Sequence, residues 1–379
     1  MNLALSDEQV FLREAARGAL SRFKTIEAAR EALDGNGGAM PDLWPTACEA
    51  GWPGLLIDEA HGGAGLDAFD AMLVLGECGR VLAGVALLGH LPATAILGDP
   101  PGAAPDLAAL ASGEKRAAYL PAQPPTDTDE RWTTDPASGM RRSPAPIASA
   151  SGSDGFAQVS GSVAFVPDAP GADVLVGVAL QGGHPVGVAI HADDPGVRIE
   201  PVHRYDATRS LGHVTLKDAR AVVLDAPESA LVGAWYLAQA LIAAESLGSV
   251  ETALEVSVAY AKERFTFGRA IGSYQAVKHS LTEVLRQLEN GRSLLYYAGW
   301  ARTGAPQEFA LAASAARSVA GRALDQASRT MISVHGGIGA TWEHDAPLYF
   351  RRAQLSRRLL GGTGGATDRV AGELMAQAA

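Results

Sequence analysis

The chain has 379 residues, 47% of them hydrophobic and 19% charged, which allows a large buried core and two or three domains. Its net charge of −11 disfavours sequence-independent nucleic-acid binding, which needs Lys and Arg to neutralise phosphates, but allows a local basic pocket. We expect no membrane span, since no run of ~18 uncharged apolar residues occurs, and no secretory signal. The two cysteines, Cys48 and Cys78, predict buried thiols in a reducing cytoplasm rather than a disulfide framework.

The first region, residues 1–115, is predicted to be helical. Ser6 and Gln9 form an S-x-x-Q capping box, in which each side chain satisfies a backbone N–H at the start of a helix. Apolar residues then recur at helical spacing. A glycine-rich segment at 61–65 precedes a second apolar helix, which contains Met72 and Cys78.

The second region, residues 116–230, is rich in Pro, Gly, Ser and Asp. Short β-type runs separated by turn residues predict a small antiparallel sheet domain. These runs are Ala157–Val159, Val163–Val166, Val174–Val178, Val186–Ile190 and His213–Leu216. The segment from Pro121 to Ala148 has few large aliphatic residues and is predicted to be a long loop.

The third region, residues 231–379, returns to helical patterning. Gln275–Arg302 is predicted to be one long helix, and a further helix is predicted over Gln307–Ser333. The apolar stripe on the first of these helices indicates packing between subunits. Its members are Val277, Leu281, Val284, Leu285, Leu288 and Leu295.

The segment from Tyr260 to Gln275 joins two of these helices by a cationic turn. Gly268 and Gly272 allow a ligand or a second backbone to approach closely. Arg264 could hold a phosphate through two hydrogen bonds, and the following helix N-terminus favours anions. The alternative is a solvated turn whose arginines form surface ion pairs.

The same segment resembles the R-x-x-F-G-x-x-I-x-x-x-Q signature of acyl-CoA dehydrogenases, with Arg264 as its first residue and Gln275 as its last. A second segment, His335–Thr341 followed by 342–353, is similar to the glycine motif and next helix of that family. The resemblance covers most of the chain. It implies a mainly α fold with a helical N-terminal domain, a small β-barrel or β-sandwich in the middle and a C-terminal four-helix bundle.

The resemblance also implies FAD as the cofactor, held across subunit contacts in a dimer or tetramer. Arg264, Thr266 and Phe267 would reach the pyrophosphate and dimethylbenzene parts of a neighbour's FAD. Gln275 would contact its adenosine half, and Gly337 would lie against the pyrophosphate. The complete set assigned to the cofactor is Arg264, Thr266, Phe267, Gln275, Gly336, Gly337 and Thr363.

The chain departs from the family at its catalytic base, the glutamate that removes the α proton of an acyl-CoA. Gly361 stands at the usual position of that glutamate, and Ala238 at the position used by a minority of members. Glu245, seven residues after Ala238, is the candidate for a relocated base, with a paired structural role as the alternative. Glu343 is weighed in the same way, and the resemblance implies a structural role for it in the family.

The flavin-side pattern of the β domain, Thr-Glu-Pro followed by Gly-Ser-Asp, is not found from Tyr119 onward. Ser333 and Gly365 replace two further polar contacts. We therefore expect a subunit that completes the FAD site of a related dehydrogenase subunit, as in heteromeric members that act on sterol-derived acyl-CoAs. The alternative is an active homomeric enzyme that uses Glu245, and a third is oxygen chemistry on the flavin.

The partners expected from the resemblance are an acyl-CoA, a related subunit and an acceptor such as an electron-transfer flavoprotein. The resemblance places the chain in fatty acid or sterol side-chain degradation. No metal is expected.

Overall fold

The computed structural model describes residues 4–33, 40–98, 107–125, 131–134, 142–150 and 155–378. Its first helix begins at the predicted capping box: Ser6 Oγ accepts from the Gln9 backbone N–H at 3.2 Å, and Gln9 Oε1 accepts from the Ser6 N–H at 3.1 Å. The helices of the N-terminal region are α1 (Asp7–Leu20), α2 (Thr25–Leu33), α3 (Trp44–Glu49), α4 (Ala68–Arg80), α5 (Leu87–Leu97) and α6 (Leu107–Ser112).

Helix α4 packs on the long helix α7 (Glu228–Glu263), and glycines set how closely the two approach. A Cβ at Gly79 would lie 1.9 Å from the Glu245 carbonyl oxygen, and one at Gly248 would lie 1.9 Å from the Gly76 carbonyl oxygen. Only glycine fits at these positions, because the two backbones touch. The contact fixes the turn of α7 that carries Glu245.

The middle region forms a closed sheet. The hydrogen-bonded path runs β6–β4–β5–β9–β7 and returns to β6, with β1 added on β6 and β8 on β9. The predicted compact β domain is therefore a small barrel. Its strands are β1 (Ala117–Tyr119), β4 (Ile147–Ala148), β5 (Phe156–Pro167), β6 (Val174–Gln181), β7 (His184–His191), β8 (Val197–Pro201) and β9 (Leu211–Leu224).

Three details of this region differ from the sequence prediction. The runs at 157–159 and 163–166 are one strand, β5, with register shifts against β9 that let a continuous strand bend. The sheet is mixed, because β1 and β4 both pair with β6 in parallel. The predicted loop from Pro121 to Ala148 contains strands β2 (Thr133–Thr134), β3 (Arg142–Ser143) and β4, while its residues 126–130 and 135–141 lie outside the described ranges.

The C-terminal region is a helical bundle in which α9 contacts α7, α8 and α11. The predicted helix from Gln275 ends two residues later than expected, at Gly304. Leu285, predicted to lie on the apolar stripe, is 46% exposed on the single chain. Besides α7, the elements are β10 (Phe265–Thr266), β11 (Arg269–Ala270), α8 (Gln275–Gly304), α9 (Pro306–His335), α10 (Ala346–Ser356) and α11 (Gly362–Ala378).

Within the described ranges, α7 alone has the length and hydropathy of a membrane-crossing helix, but 83% of its most apolar 18-residue window is buried inside the protein. It is therefore the central core helix of this fold. Both cysteines are free thiols. Cys78 is buried as predicted, whereas Cys48 is only half-buried.

Candidate functional site

The cationic turn between α7 and α8 is an exposed two-stranded hairpin. Phe265 pairs with Ala270 and Thr266 with Arg269, and the chain reverses at Phe267 and Gly268, whose φ angles are +48° and +77°. Phe267 is 93% exposed and Phe265 63% exposed on the single chain. Large apolar rings in water are typical of a surface that another molecule covers.

Polar groups at both ends of this hairpin are open to a ligand. Arg264 ends α7 in an extended conformation and has no carboxylate within ion-pair distance among the described residues. Gln275 begins α8, whose N-cap residue, Tyr274, offers no side-chain hydrogen bond to the helix. The first N–H groups of a 30-residue helix therefore remain available, and together with a guanidinium they favour an anionic ligand.

The two sequence motifs meet in space through aromatic rings. The Tyr260 ring lies 4.3 Å from that of His335, which in turn lies 4.1 Å from that of His344. Burial, followed by the neighbouring His335, lowers the pKa of His344. Gly336 then ends α9 with φ +65°, so the glycine motif leaves the helix beside the hairpin. Gly336 and Gly337 are both exposed.

Two cavities lie next to these motifs and share Arg329 and Thr330. The larger, of about 620 Å³, is lined by Thr266, Phe267 and Ser333 among others. The smaller, of about 330 Å³, is lined in part by Thr363. The structure thus brings Thr266, Phe267 and Thr363 to adjoining cavities, whereas Arg264, Gln275, Gly336 and Gly337 lie on open surface and line neither one.

A third cavity, of about 1270 Å³, lies between the barrel and the C-terminal helices. Its described lining contains no Asp, Glu, His or Cys side chain, so no conventional general base faces it. Its ionisable groups are arginines and one tyrosine. The wall includes Gln123, Phe165, Trp235, Leu359, Leu360 and Gly361 together with Arg142, Arg204, Tyr205, Arg351 and Arg358.

The two positions that the resemblance assigns to the family's base, Gly361 and Ala238, lack a carboxylate. Gly361 lines the large cavity with φ +75°. Ala238 is 0% exposed within α7 and does not line that cavity. Glu343 does not line it either.

Glu245 is held in a buried ion-pair network. It pairs with Arg209 and accepts from Arg352 Nη1 at 2.5 Å, and Arg352 Nε donates to Asp206 Oδ2 at 2.8 Å. Burial alone would raise the pKa of Asp206, but the guanidiniums of Arg352 and Arg209 outweigh burial and lower it. Glu245 is 5% exposed and does not line the large cavity.

A second buried arginine supports the turn that carries Gly361. Arg317 is 0% exposed and donates through Nη2 to the carbonyls of Ser356 and Leu359, the latter at 3.2 Å. Burial, then the charge of Arg209, lowers the pKa of Arg317 to about 9. The amide of Gln239 donates to the Leu360 carbonyl at 2.8 Å. Three carbonyls of one short turn are therefore fixed from the core.

The sequence analysis missed the residues that shape the large cavity. Arg204 lies 4.8 Å from the centre of the Phe165 ring, and Arg351 lies 4.8 Å from that of Trp342. Phe165 has φ +53°, which places its ring off the regular strand direction. Arg204 and Phe165 stand in no motif, and although Trp342 and Arg351 lie in the second motif segment, the sequence gives no local signal that their side chains shape a cavity. Among the described residues no cluster of His, Cys, Asp or Glu suits a metal ion.

Family comparisons agree with the fold. The family model described as acyl-CoA dehydrogenase, C-terminal domain, matches residues 234–375, and that described as acyl-CoA dehydrogenase, N-terminal domain, matches residues 6–123. The chain belongs to the acyl-CoA dehydrogenase family, whose members are FAD-dependent oxidoreductases acting on the CH–CH bonds of acyl-CoAs.

Individual members can also be named. The chain is 30% identical over 370 residues to acyl-CoA dehydrogenase IpdE2 of Mycolicibacterium smegmatis, covering 94% of this chain and 96% of that one. It is 31% identical over 377 residues to acyl-CoA dehydrogenase FadE34 of Mycobacterium tuberculosis, covering 96% of this chain but 47% of that longer one. Among solved structures, a variant of the Tcur3481-Tcur3483 steroid ACAD matches with TM-score 0.84 and 26% identity over 98% of both chains.

Proposed function

We propose that this chain is the non-catalytic subunit of a heteromeric acyl-CoA dehydrogenase and that it completes the FAD site of a related, catalytic subunit, here called the sister subunit. The observation that carries the proposal is the large cavity, whose described lining holds no carboxylate, histidine or cysteine. Removal of an α proton from an acyl-CoA needs such a base within reach. The sister subunit would supply it.

The rival candidate, an active enzyme that uses Glu245, has little support from the geometry. Both carboxylate oxygens of Glu245 are engaged, one by Arg209 and one by Arg352. A base must give up such contacts to accept a proton, and breaking a buried pair is costly. We therefore assign Glu245 a structural role.

The hairpin is the part of this chain that would face the sister subunit's cofactor. The donors it offers fit a pyrophosphate: the Arg264 guanidinium, the Thr266 hydroxyl and the N–H groups that begin α8. Phe267 would cover an apolar ring edge, and Gln275 and the backbone of Gly336 and Gly337 would contact the rest of the cofactor. Thr363 would contribute its hydroxyl from the adjoining cavity.

When bound, FAD supplies the acceptor for the hydride that leaves the β carbon. This chain's residues then act by holding and covering the cofactor, and the proton is removed by the sister subunit. Each pair of chains would then have one reacting site, with the base from the sister subunit and part of the cofactor site from this chain.

The substrate class is inferred from the relatives. One similar structure is that of a steroid ACAD whose name joins two components, Tcur3481 and Tcur3483. We propose a bulky, steroid-derived acyl-CoA as substrate, and an electron-transfer flavoprotein as acceptor. The two free thiols fit a cytoplasmic location.

Co-purification tests the proposal. The chain is expressed alone and with the sister subunit, and each preparation is scored for bound flavin by visible absorbance and for dehydrogenation of an acyl-CoA with an artificial electron acceptor. We expect flavin and activity only in the complex, with one flavin for each pair of chains. Brisk activity of the isolated chain, abolished by Glu245→Gln with flavin still bound, would overturn the assignment.

A further inference from the structure

The turn that carries Gly361 faces two side chains from distant parts of the sequence. A Cβ added at Gly361 would lie 2.8 Å from Gln123 Oε1 and 3.1 Å from Trp235 Cζ2. Both distances are shorter than ordinary van der Waals contact. The first atom of a side chain at position 361 would therefore be crowded by the Gln123 amide and the Trp235 indole.

Gln123 is held in this place through its backbone. Its N–H donates to the Trp132 carbonyl at 2.9 Å, and Arg142 Nη2 donates to its carbonyl at 3.3 Å. The side-chain amide reaches between two glycines, since a Cβ at Gly365 would lie 3.6 Å from Gln123 Nε2. The amide thus occupies the space between two positions where the family places polar side chains.

Trp235 lies against position 361 from a second direction. It lies on α7, is 6% exposed and precedes Ala238 by three residues, so the two are neighbours on one helix face. The indole lines the cavity while Ala238 does not. A side chain at position 238 would therefore emerge in packed core and not in the cavity.

The backbone of the turn adds a second restriction. Leu360, Gly361 and Gly362 have φ angles of +51°, +75° and +72°, three successive residues in the left-handed region. The turn is fixed in this conformation by the hydrogen bonds from Arg317 and Gln239. An L-residue at position 361 would be strained as well as crowded.

We propose that Gln123 and Trp235 form a plug in front of Gly361 that keeps this subunit's cavity without a base. A side chain introduced at position 361 must displace the Gln123 amide or the Trp235 indole before it can extend into the cavity. The inference rests on the proposed function, since a plug has meaning only in a subunit that does not react.

Double-mutant cycles on the purified chain test the plug, with stability measured by chemical unfolding. Gly361→Ala is combined with Gln123→Ala and, separately, with Trp235→Phe. We expect Gly361→Ala to lower the folding equilibrium constant about five- to thirtyfold, since it combines left-handed strain with crowding. Removing the plug side chain should relieve the crowding part, with a coupling of about threefold or more in at least one cycle.

Gly365→Ala is the matched control. Its φ is not in the left-handed region, and its Cβ would meet the Gln123 amide at an ordinary 3.6 Å, so it should show no coupling to Gln123→Ala. Additive effects in both Gly361 cycles would overturn the plug, whatever the activity of the chain. An active isolated chain would instead refute the proposed function and leave these couplings unchanged, so the two failures are distinguishable.

Discussion

The large cavity and the hairpin differ in how well their residues match the pattern of the family. The cavity has no carboxylate in its described lining, and the Gln123 amide and the Trp235 indole lie against Gly361. The hairpin keeps its signature residues, exposed on the single chain and without carboxylate partners among the described residues. Under the proposed function, the contrast teaches that the residues a subunit uses for its own reaction and the residues it offers to a neighbour can change independently within one fold.

The two regions also differ in how they are built. The hairpin is a contiguous segment whose shape depends on local turn geometry. The cavity is assembled from the barrel, α7, α10 and the turn after α10, so its chemistry depends on packing across the whole chain. Variants that affect one region and leave the other intact can therefore test the contrast.

The largest effect is expected at Glu245, the residue that would be the base if this chain were active on its own. Glu245→Gln leaves Arg209 without its carboxylate in the core, and breaking such a buried pair costs about 3–5 kcal/mol. We expect the free energy of unfolding to fall by this amount in denaturant titration. Glu200→Gln, in an exposed pair with Arg198, should change it by less than ~0.5 kcal/mol. A stable Glu245→Gln chain would reopen the case for a catalytic Glu245.

The next effect is expected at Arg264, which tests the hairpin. Arg264→Ala removes a charge-assisted hydrogen bond to a phosphate, a loss of about 1.5–3 kcal/mol in flavin affinity. Flavin retained by the complex during dialysis should fall accordingly, while the melting temperature of the isolated chain stays unchanged because Arg264 has no ion pair among the described residues.

Arg198→Ala is the matched control for this loss of charge. Arg198 is 73% exposed and lies on β8 of the barrel, outside the hairpin. It should leave flavin content as in the unmodified complex. Equal flavin retention by Arg264→Ala and Arg198→Ala would remove the hairpin from the cofactor site.

The smallest effect is expected at Phe267. Phe267→Gly suits the left-handed backbone and removes a ring that is 93% exposed, so the isolated chain should change in stability by about 0.5–1 kcal/mol or less. Assembly with the sister subunit, followed by light scattering on dilution, should weaken because the ring is lost from the interface. Unchanged assembly and unchanged flavin together would mean that the hairpin faces solvent.

Much of the fold could be predicted from local patterns. The capping box at Ser6 and the helix beginning at Gln275 depend on contacts between near neighbours in the sequence, and both are confirmed. Leu285, on the stripe predicted to pack between subunits, is 46% exposed on the single chain, and its packing between subunits stays a prediction because helical periodicity cannot tell what covers a stripe. Strand β5 was divided in two because its bulge interrupts the apolar alternation.

The candidate site could be predicted only in part. The cofactor-contact residues stand in motifs, so their sequence resemblance was visible, and their roles stay predictions. Gln123 and Trp235 lie more than 100 residues apart and meet at Gly361 only in the folded chain, so no spacing rule indicates them. The pairing of Glu245 was anticipated from the cost of burying a charge, but its partners Arg209 and Arg352 were not.

Helix α7 has a consequence for how the protein is made. The helix packs mainly against α4, α8 and α9, and α8 and α9 are synthesised after it. Until α9 leaves the ribosome, a long apolar helix lacks its main partner and is open to aggregation or to capture by chaperones. C-terminal truncations that remove α9 should therefore be insoluble even though the N-terminal helices and the barrel are intact, so the chain from α9 onward is needed for the rest to reach a soluble fold.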